Sequence, residues 1–399
     1  MTEINSFILC SASFEGVETL EKINEANADL LVLGPSSHTF SKEKRNKLSS
    51  KYVLAFRPLG ETTIIFDGPF SREERMTWDS NRDGLPDNNA PSWLGPVNTG
   101  WGHYLEEVWG YKNWAYKNMY GLYLIRYWEE EYLNYMKTEI DTFALEGWDG
   151  ILFDTPFPGA WITGSDLHES LYTVEELANL TSEAFSSIKT YVDKKWPGFL
   201  IYINGTGTDK ILDQKPEILE TIDGIFLENT QYYKEGVTDN LIFPANYKYS
   251  DYRGTKELQK WMKLTKDNID LKVICQEYVT SDPRIYCQIA RNIDLSGFLI
   301  ETPYDNLYRS KNAVDDNEKT AFSIYSGIVD TNNKNLIKND KNNNALLIGR
   351  NGEDILTGSS FNEVFMGGDL DDIIKGGEGI DIAVYRYDSN KYNILKKTD

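Results

Sequence analysis

The chain alternates between short, solidly apolar runs and longer stretches with a helical stripe. Eight runs rich in β-branched and aliphatic residues stand out: SFILCSA, DLLVLG, YVLAFR, DGILFD, FLIYIN, DGIFLE, LKVICQ and SGFLIE. Continuous apolar runs bounded by turn residues mark strands covered on both faces. Between them, Val17 to Ala28, Trp128 to Leu145, Val174 to Lys195 and Thr255 to Lys266 carry apolar residues at three- and four-residue spacing, which predicts helices with one buried stripe. Strand and helix in eightfold alternation predict an α/β fold, a (β/α)8 TIM-like barrel, with an open doubly wound sheet as the alternative.

The polar residues are placed where a barrel would use them. Asp154 closes the run GILF, Asn204 closes LIYI, Glu228 closes GIFL, Gln276 and Glu277 follow KVIC, Glu301 follows GFLI, and Arg57 and Glu61 follow VLAF. In a barrel these C-terminal strand ends converge on one face, where loops build the site. The chain has three His and shows no Ser/His/Asp order, phosphate-binding glycine loop or HExxH, so carboxylate chemistry remains. Glycosidic cleavage needs two carboxyl groups, one to protonate the leaving oxygen and one to attack the anomeric carbon or activate water. Asp154 and Glu228 are the candidate pair. They end the matching segments WDGILFD and IDGIFLE, on the fourth and sixth predicted strands. Each could instead cap the helix that follows it. Asp149 and Asp223, at the starts of those strands, are expected in turns at the opposite end. Asn204, Glu61, Glu277, Tyr278 and Glu301 are candidate substrate contacts, and Arg57 and Arg126 are their ion partners or orient the nucleophile. Trp101, with Trp93, Trp128 and Tyr304, could offer sugar platforms, although each is as well suited to a core.

Charge narrows the partners. Of 399 residues, 41 are Lys or Arg and 62 Asp or Glu, a net charge of −21. Such a chain repels phosphate backbones and anionic lipid surfaces, which argues against nucleic acid and membrane partners. Cys10, Cys275 and Cys287 are an odd number without a CxxC pair, so neither a disulfide framework nor a zinc site is indicated. The opening MTEINSFILCSASF lacks a basic region and a long apolar stretch, so a cleaved export signal is not expected. Ten Trp and 25 Tyr suit stacking on sugars as well as core packing.

Composition shifts near Asn332, which suggests a catalytic domain over 1–330, a polar linker over 331–344 and a repeat module over 345–399. From Gly349 the chain divides into nine-residue units, GRNGEDILT, GSSFNEVFM, GGDLDDIIK and GGEGIDIAV. Their sixth-position acids, Asp354, Glu363, Asp372 and Asp381, offer hard oxygens for calcium between stacked turns. A second calcium candidate is Asp79, Asn81, Asp83 and Asp87, whose first positions match the start of an EF-hand loop but whose twelfth-position glutamate is replaced by Ala90. The alternative there is a turn satisfied by its own side chains.

Two resemblances add to this. The succession VLAFRPLGE, PSWLGPVNTGW, LIRYW, GWDGILFDTPF, INGT, IDGIFLEN and CQEYV resembles the endo-α-1,4-polygalactosaminidase-like barrels of glycoside hydrolase family 114, over roughly Ile8 to Tyr308. The resemblance implies a secreted hydrolase of α-linked galactosamine or N-acetylgalactosamine polymers, with Asp154 as nucleophile and Glu228 as acid/base. Family members commonly carry Asp-Asn where this chain has Asp154-Thr155, a departure that bears on the substrate. The nonapeptide units resemble an RTX parallel β-roll. That implies calcium as a structural cofactor and bacterial export through a type I secretion apparatus, with a monomer as the expected state. The competing expectation is an extracellular polysaccharide-binding or adhesin barrel that does not cut, or a hydrolase of another α-glycan.

Overall fold

The computed structural model describes residues 7–10, 29–33, 41–62, 77–81, 83–98, 122–164, 168–205, 208–228, 260–265, 271–276, 299–301, 323–326, 334–339 and 344–385, with isolated positions at 24, 74, 286–287, 289–290 and 293. Its centre is an eight-stranded sheet, all parallel, whose spatial order is the chain order. The strands are Phe7–Cys10, Leu30–Leu33, Tyr52–Pro58, Gly150–Asp154, Leu200–Asn204, Gly224–Glu228, Lys272–Gln276 and Leu299–Glu301. Each coincides with one predicted apolar run. The fold is thus mixed α/β with a parallel sheet of TIM-like order. Among the described residues no pairing joins the eighth strand to the first.

Alternate residues on these strands feed two separate apolar layers. Leu30, Val32, Leu54, Leu152, Leu200, Tyr202, Phe226 and Ile274 pack together on the inner face. The residues between them, among them Val53, Ala55, Ile151, Phe153, Ile201, Ile203, Ile225, Leu227 and Cys275, join the larger cluster shared with the helices. That explains the apolar runs, because both parities are buried. The helix Val174–Lys195 begins on a capping box between Thr173 and Glu176 and buries Leu177, Ala178, Thr181, Ala184, Phe185, Ile188 and Val192 on one stripe. The helix Glu130–Glu146 ends at Gly147, whose φ of +96° only glycine adopts freely.

The repeated Asp-Gly at the start of the fourth and sixth strands has a structural cause. Asp149 Oδ2 accepts the Val53 N–H at 2.8 Å and the Arg45 Nε–H at 2.8 Å. Asp223 Oδ2 accepts the Ile201 N–H at 2.9 Å. Each acid therefore fastens the entry of the preceding strand. A methyl on Gly224 would lie 2.2 Å from the Tyr202 ring, so a glycine there leaves room for a large inward neighbour.

A small antiparallel sheet of Glu61–Thr62, Leu122–Ile125 and Leu94–Asn98 follows the third strand. Towards the C terminus, two parallel sheets stack by coils. One contains Ser323–Ser326, Ala345–Asn351, Glu363–Asp369 and Ile382–Ala383, and the other Leu336–Lys338, Ile355–Thr357 and Ile373–Lys375. Ala345 pairs with Glu363 and Ile355 with Ile373, so two nine-residue units make one coil. Ile337, Ala345, Leu347, Leu356 and Phe365 fill the space between the sheets. The stack begins earlier than the Gly-Asp signature: Leu336–Lys338 comes from the stretch expected to be a linker, and Ser323–Ser326 from the stretch assigned to the first domain. Leu346, Ile348, Val364 and Met366, on the far face of the four-stranded sheet, are also fully buried and belong to the large cluster that includes the helix layer.

Candidate functional site

Parity and strand length decide what reaches the sheet's C-terminal mouth. Asp154 follows Leu152 and Asn204 follows Tyr202 by two residues, which puts both on the inner face. They meet there: the Asn204 Nδ2–H donates to Asp154 Oδ1 at 2.8 Å. Burial pushes the Asp154 carboxyl above the ordinary aspartate value, opposed by the Asn204 amide and by the Thr155 backbone N–H. A desolvated carboxyl held by neutral donors at the mouth of a parallel sheet is suited to nucleophilic or proton-transfer work.

The chain leaves Asp154 through an uncommon conformation. Thr155 has φ of +43°, which a β-branched residue rarely adopts and which costs on the order of 1–3 kcal/mol. The surroundings fix it. The Leu59 N–H donates to the Asp154 carbonyl at 3.0 Å, and the Gly60 carbonyl accepts from the Ile125 N–H at 2.8 Å. A methyl on Gly60 would sit 2.3 Å from the Thr155 carbonyl oxygen and 2.6 Å from Pro158 Cδ.

The other expected site residues divide. Glu228 ends the sixth strand, two positions beyond Phe226 and opposite Gln276, and Glu301 ends the eighth opposite that same Gln276. Their backbone positions therefore share the parity of Asp154. Arg57 does not: it follows the inward Phe56 and lies on the helix side, where its Nε–H donates to Glu139 Oε2 at 2.9 Å and its Nη2 to Tyr135 Oη at 2.8 Å. Burial and the ion pair with Glu139 act on it in opposite directions, and its proton is held more firmly than in free arginine. Glu61 is buried in the small sheet and accepts the Asn98 amide at 2.7 Å. Arg126 donates to the carbonyls of Ser92 and Leu94, each at 3.0 Å, and lies over the Trp161 ring, 5.1 Å from its centroid. That ring belongs to an aromatic group with Trp128 and Tyr172, so Arg126 braces the wall after Asp154. Trp93 is buried edge-on against Trp78. Trp101, Glu277, Tyr278 and Tyr304 lie outside the described residues.

The 79–87 loop spends its oxygens on itself. Asp79 Oδ1 accepts the Asp83 N–H at 3.1 Å and its Oδ2 accepts the Gly84 N–H at 2.9 Å and the Tyr123 hydroxyl. Asn81 Oδ1 accepts the Asp83 N–H at 3.1 Å, and Asp87 Oδ2 accepts the Ser80 N–H and hydroxyl at 2.8 and 2.6 Å. Among the described residues no group of three or more His, Cys, Asp and Glu gathers at one point.

The repeat acids behave differently. In three of them one oxygen reaches back a coil to a backbone N–H: Asp354 Oδ1 takes the Asn335 N–H at 2.7 Å, Asp372 Oδ1 the Asp354 N–H at 2.9 Å and Asp381 Oδ1 the Glu363 N–H at 3.1 Å. The second oxygens of Asp354 and Glu363 are buried without a hydrogen-bond partner. A methyl on Gly349 would lie 2.5 Å from Asp354 Oδ2 and 2.3 Å from the Gly367 carbonyl, and one on Gly358 would lie 2.8 Å from Glu363 Oε2 and 2.0 Å from the Gly376 carbonyl. Burial raises the Glu363 and Asp372 carboxyls above their usual values. Asn335 and Asn339, which carry no repeat signature, cap the first coil: their amides donate to Asp354 Oδ1 and Glu363 Oε1, each at 2.8 Å.

No family model matches the sequence. No curated protein matches it. Among solved structures, the chain is similar to the glycoside hydrolase domain of PelA from Pseudomonas aeruginosa, at 12% identity over 77% of this chain and 97% of that one, with a TM-score of 0.44. It is also similar to Ega3 of Aspergillus fumigatus in complex with galactosamine, at 11% identity over 76% and 93% of the two chains and a TM-score of 0.43. The trehalose-6-phosphate hydrolase of Bacillus licheniformis follows at 14% identity over 76% and 63%, with a TM-score of 0.41.

Proposed function

We propose that the chain is a secreted, endo-acting glycoside hydrolase of an α-linked galactosamine or N-acetylgalactosamine exopolysaccharide. The observation that carries the reading is the buried Asp154 carboxyl, held by Asn204 at the inner mouth of the sheet, with Glu228 closing the next strand but one at the same parity. Asp154 attacks the anomeric carbon while protonated Glu228 delivers its proton to the departing glycosidic oxygen. A glycosyl ester forms on Asp154 as the C–O bond to the leaving sugar breaks. Glu228, now ionised, takes a proton from water, whose oxygen replaces Asp154 at the anomeric carbon; the configuration is retained. Asn204 donates to the ionised nucleophile and sets its direction. A polymer with free amino groups would bring an ammonium close to a desolvated carboxylate and would be drawn to a protein of net charge −21.

In the same reading the C-terminal coils are a calcium-loaded RTX-type roll. The donor set fits: buried carboxylate oxygens of Asp354 and Glu363 without hydrogen-bond partners share a point with main-chain carbonyls, the hard oxygens calcium takes. Asp372 and Asp381 would add equivalent oxygens. The ion would supply positive charge between stacked turns and no step of the reaction. The 79–87 loop favours the self-satisfied turn, since backbone N–H groups and hydroxyls already occupy oxygens of Asp79, Asn81 and Asp87.

The test is enzymatic. Asp154→Asn and Glu228→Gln should each abolish cleavage in folded protein, and the first product seen by proton NMR should carry the α configuration. Near-wild-type turnover in either variant overturns the assignment of roles, and a β product overturns retention.

A further inference from the structure

The turn after Asp154 combines three features that packing alone does not require. Thr155 holds φ at +43° although it is β-branched. Its carbonyl oxygen is pressed against Gly60, at a spot where a methyl would approach to 2.3 Å. The Asp154 carboxyl that precedes the turn is held by the Asn204 amide at 2.8 Å. Gly60 is in turn fixed from both sides, by the Leu59 N–H bonded to the Asp154 carbonyl and by its own carbonyl bonded to the Ile125 N–H. We propose that Gly60 and Thr155 form a strained elbow that positions the Asp154 carboxyl on the Asn204 amide, Gly60 by admitting the Thr155 carbonyl and Thr155 by holding the left-handed turn that follows Asp154. Both act as positioning residues, and the inference rests on the reading of Asp154 as the reacting group.

The elbow explains why the strain persists. An ordinary negative φ at Thr155 would turn its carbonyl away from Gly60 or, with the carbonyl kept there, turn Asp154 away from Asn204, so the fit against Gly60 and the bond to Asn204 are kept only together. A side chain at position 60 therefore acts on Asp154 from the neighbouring strand without touching it. No positive φ is required of Gly60 itself, so alanine there perturbs only through the contact.

On the inner face the Asp154 carboxyl meets the Asn204 amide, which does not titrate, while Glu228 and Glu301 share its parity and do, so each variant is read in a Glu228→Gln, Glu301→Gln background, where the Asp154 titration reports the Asn204 bond. It is followed by NMR of protein labelled with 13C at Asp side chains, with Asp154→Asn identifying the resonance. In Gly60→Ala the carboxyl should titrate at higher pH than in wild type, because it is drawn away from the Asn204 amide. In Thr155→Gly it should titrate as in wild type while the melting temperature rises, because glycine holds the same turn without strain. The double variant should move back towards wild type. An unchanged titration in Gly60→Ala overturns the proposal, as does an upward shift in Thr155→Gly. If Gly60→Ala does not fold, the wild-type Thr155 amide resonance decides: it must move with the Asp154 titration, and an amide that does not respond overturns the proposal. The readout needs no substrate. Absence of cleavage with normal elbow shifts refutes the hydrolase reading alone, and cleavage without those shifts refutes the elbow alone.

Discussion

Asn204 offers a test of the site that does not wait for a substrate. Its amide donates to Asp154 Oδ1 at 2.8 Å, and Asn204 is only 7% exposed. A hydrogen bond to an ionised acceptor contributes about 1.5–3 kcal/mol, against about 0.5–1.5 kcal/mol for a neutral pair. Asn204→Ala also removes contacts unrelated to Asp154, so the quantity to measure is the coupling in a double-mutant cycle with Asp154→Ala, which cancels them. The Asp154 carboxyl is raised by burial, so it is ionised in the folded state only above a pH higher than usual for aspartate. Urea unfolding at neutral pH should therefore give a coupling of about 1.5–3 kcal/mol, equivalent to roughly 10- to 150-fold in the folding equilibrium. As pH falls through the raised value the coupling should shrink towards the neutral-pair figure. A coupling that is independent of pH, or below about 0.5 kcal/mol throughout, would refute the claim that Asn204 holds an ionised Asp154.

Three other outcomes follow from the same geometry. Because the folded-state value of Asp154 is raised, wild type loses stability relative to Asp154→Asn as pH rises through that value; the variant should melt higher than wild type at neutral pH, and the gap should close in acid. Asp149→Ala strands the Val53 N–H and frees Arg45 at the opposite end of the strand, and should cost about 1–3 kcal/mol in urea unfolding without altering turnover per folded molecule. Calcium should raise the melting temperature in a concentration-dependent way, by about 2.7 kcal/mol of stability at one hundred times the dissociation constant. Asp354→Ala together with Glu363→Gln should blunt that response, since these carry the unpartnered buried oxygens.

Much of the architecture was legible because burial on both faces writes itself as a solid apolar run. All eight central strands were visible for that reason, and the helix Val174–Lys195 by its single buried stripe. Asp154 and Asn204 were legible as strand-end residues, but their hydrogen bond needs the register between neighbouring strands, which leaves no local signature. Arg57 stands at a strand end but at the opposite parity to Asp154: Phe56 faces inward, so Arg57 faces the helices and bonds to Glu139. The Asp-Gly pairs were recognised as belonging to the far end, but their bonds to Val53 and Ile201 depend on the neighbouring strand and leave no local signature. The first coil of the C-terminal stack was hidden for a related reason. Leu336–Lys338 carries no glycine or acid period, and it pairs because Asn335 and Asn339 cap acids about two units downstream. Thr155 looked like a change in substrate preference; its backbone conformation could not be read from a residue type that avoids it.

The central claim is that Asp154 is the nucleophile of a hydrolase acting on an amino-sugar polymer. Mass spectrometry of products from partially N-acetylated α-1,4-galactosaminan, incubated with calcium and either wild type or Asp154→Asn, tests it most directly. Oligosaccharides of hexosamine and N-acetylhexosamine composition from wild type alone are the predicted result; intact polymer from both proteins, or equal cleavage by both, would contradict it.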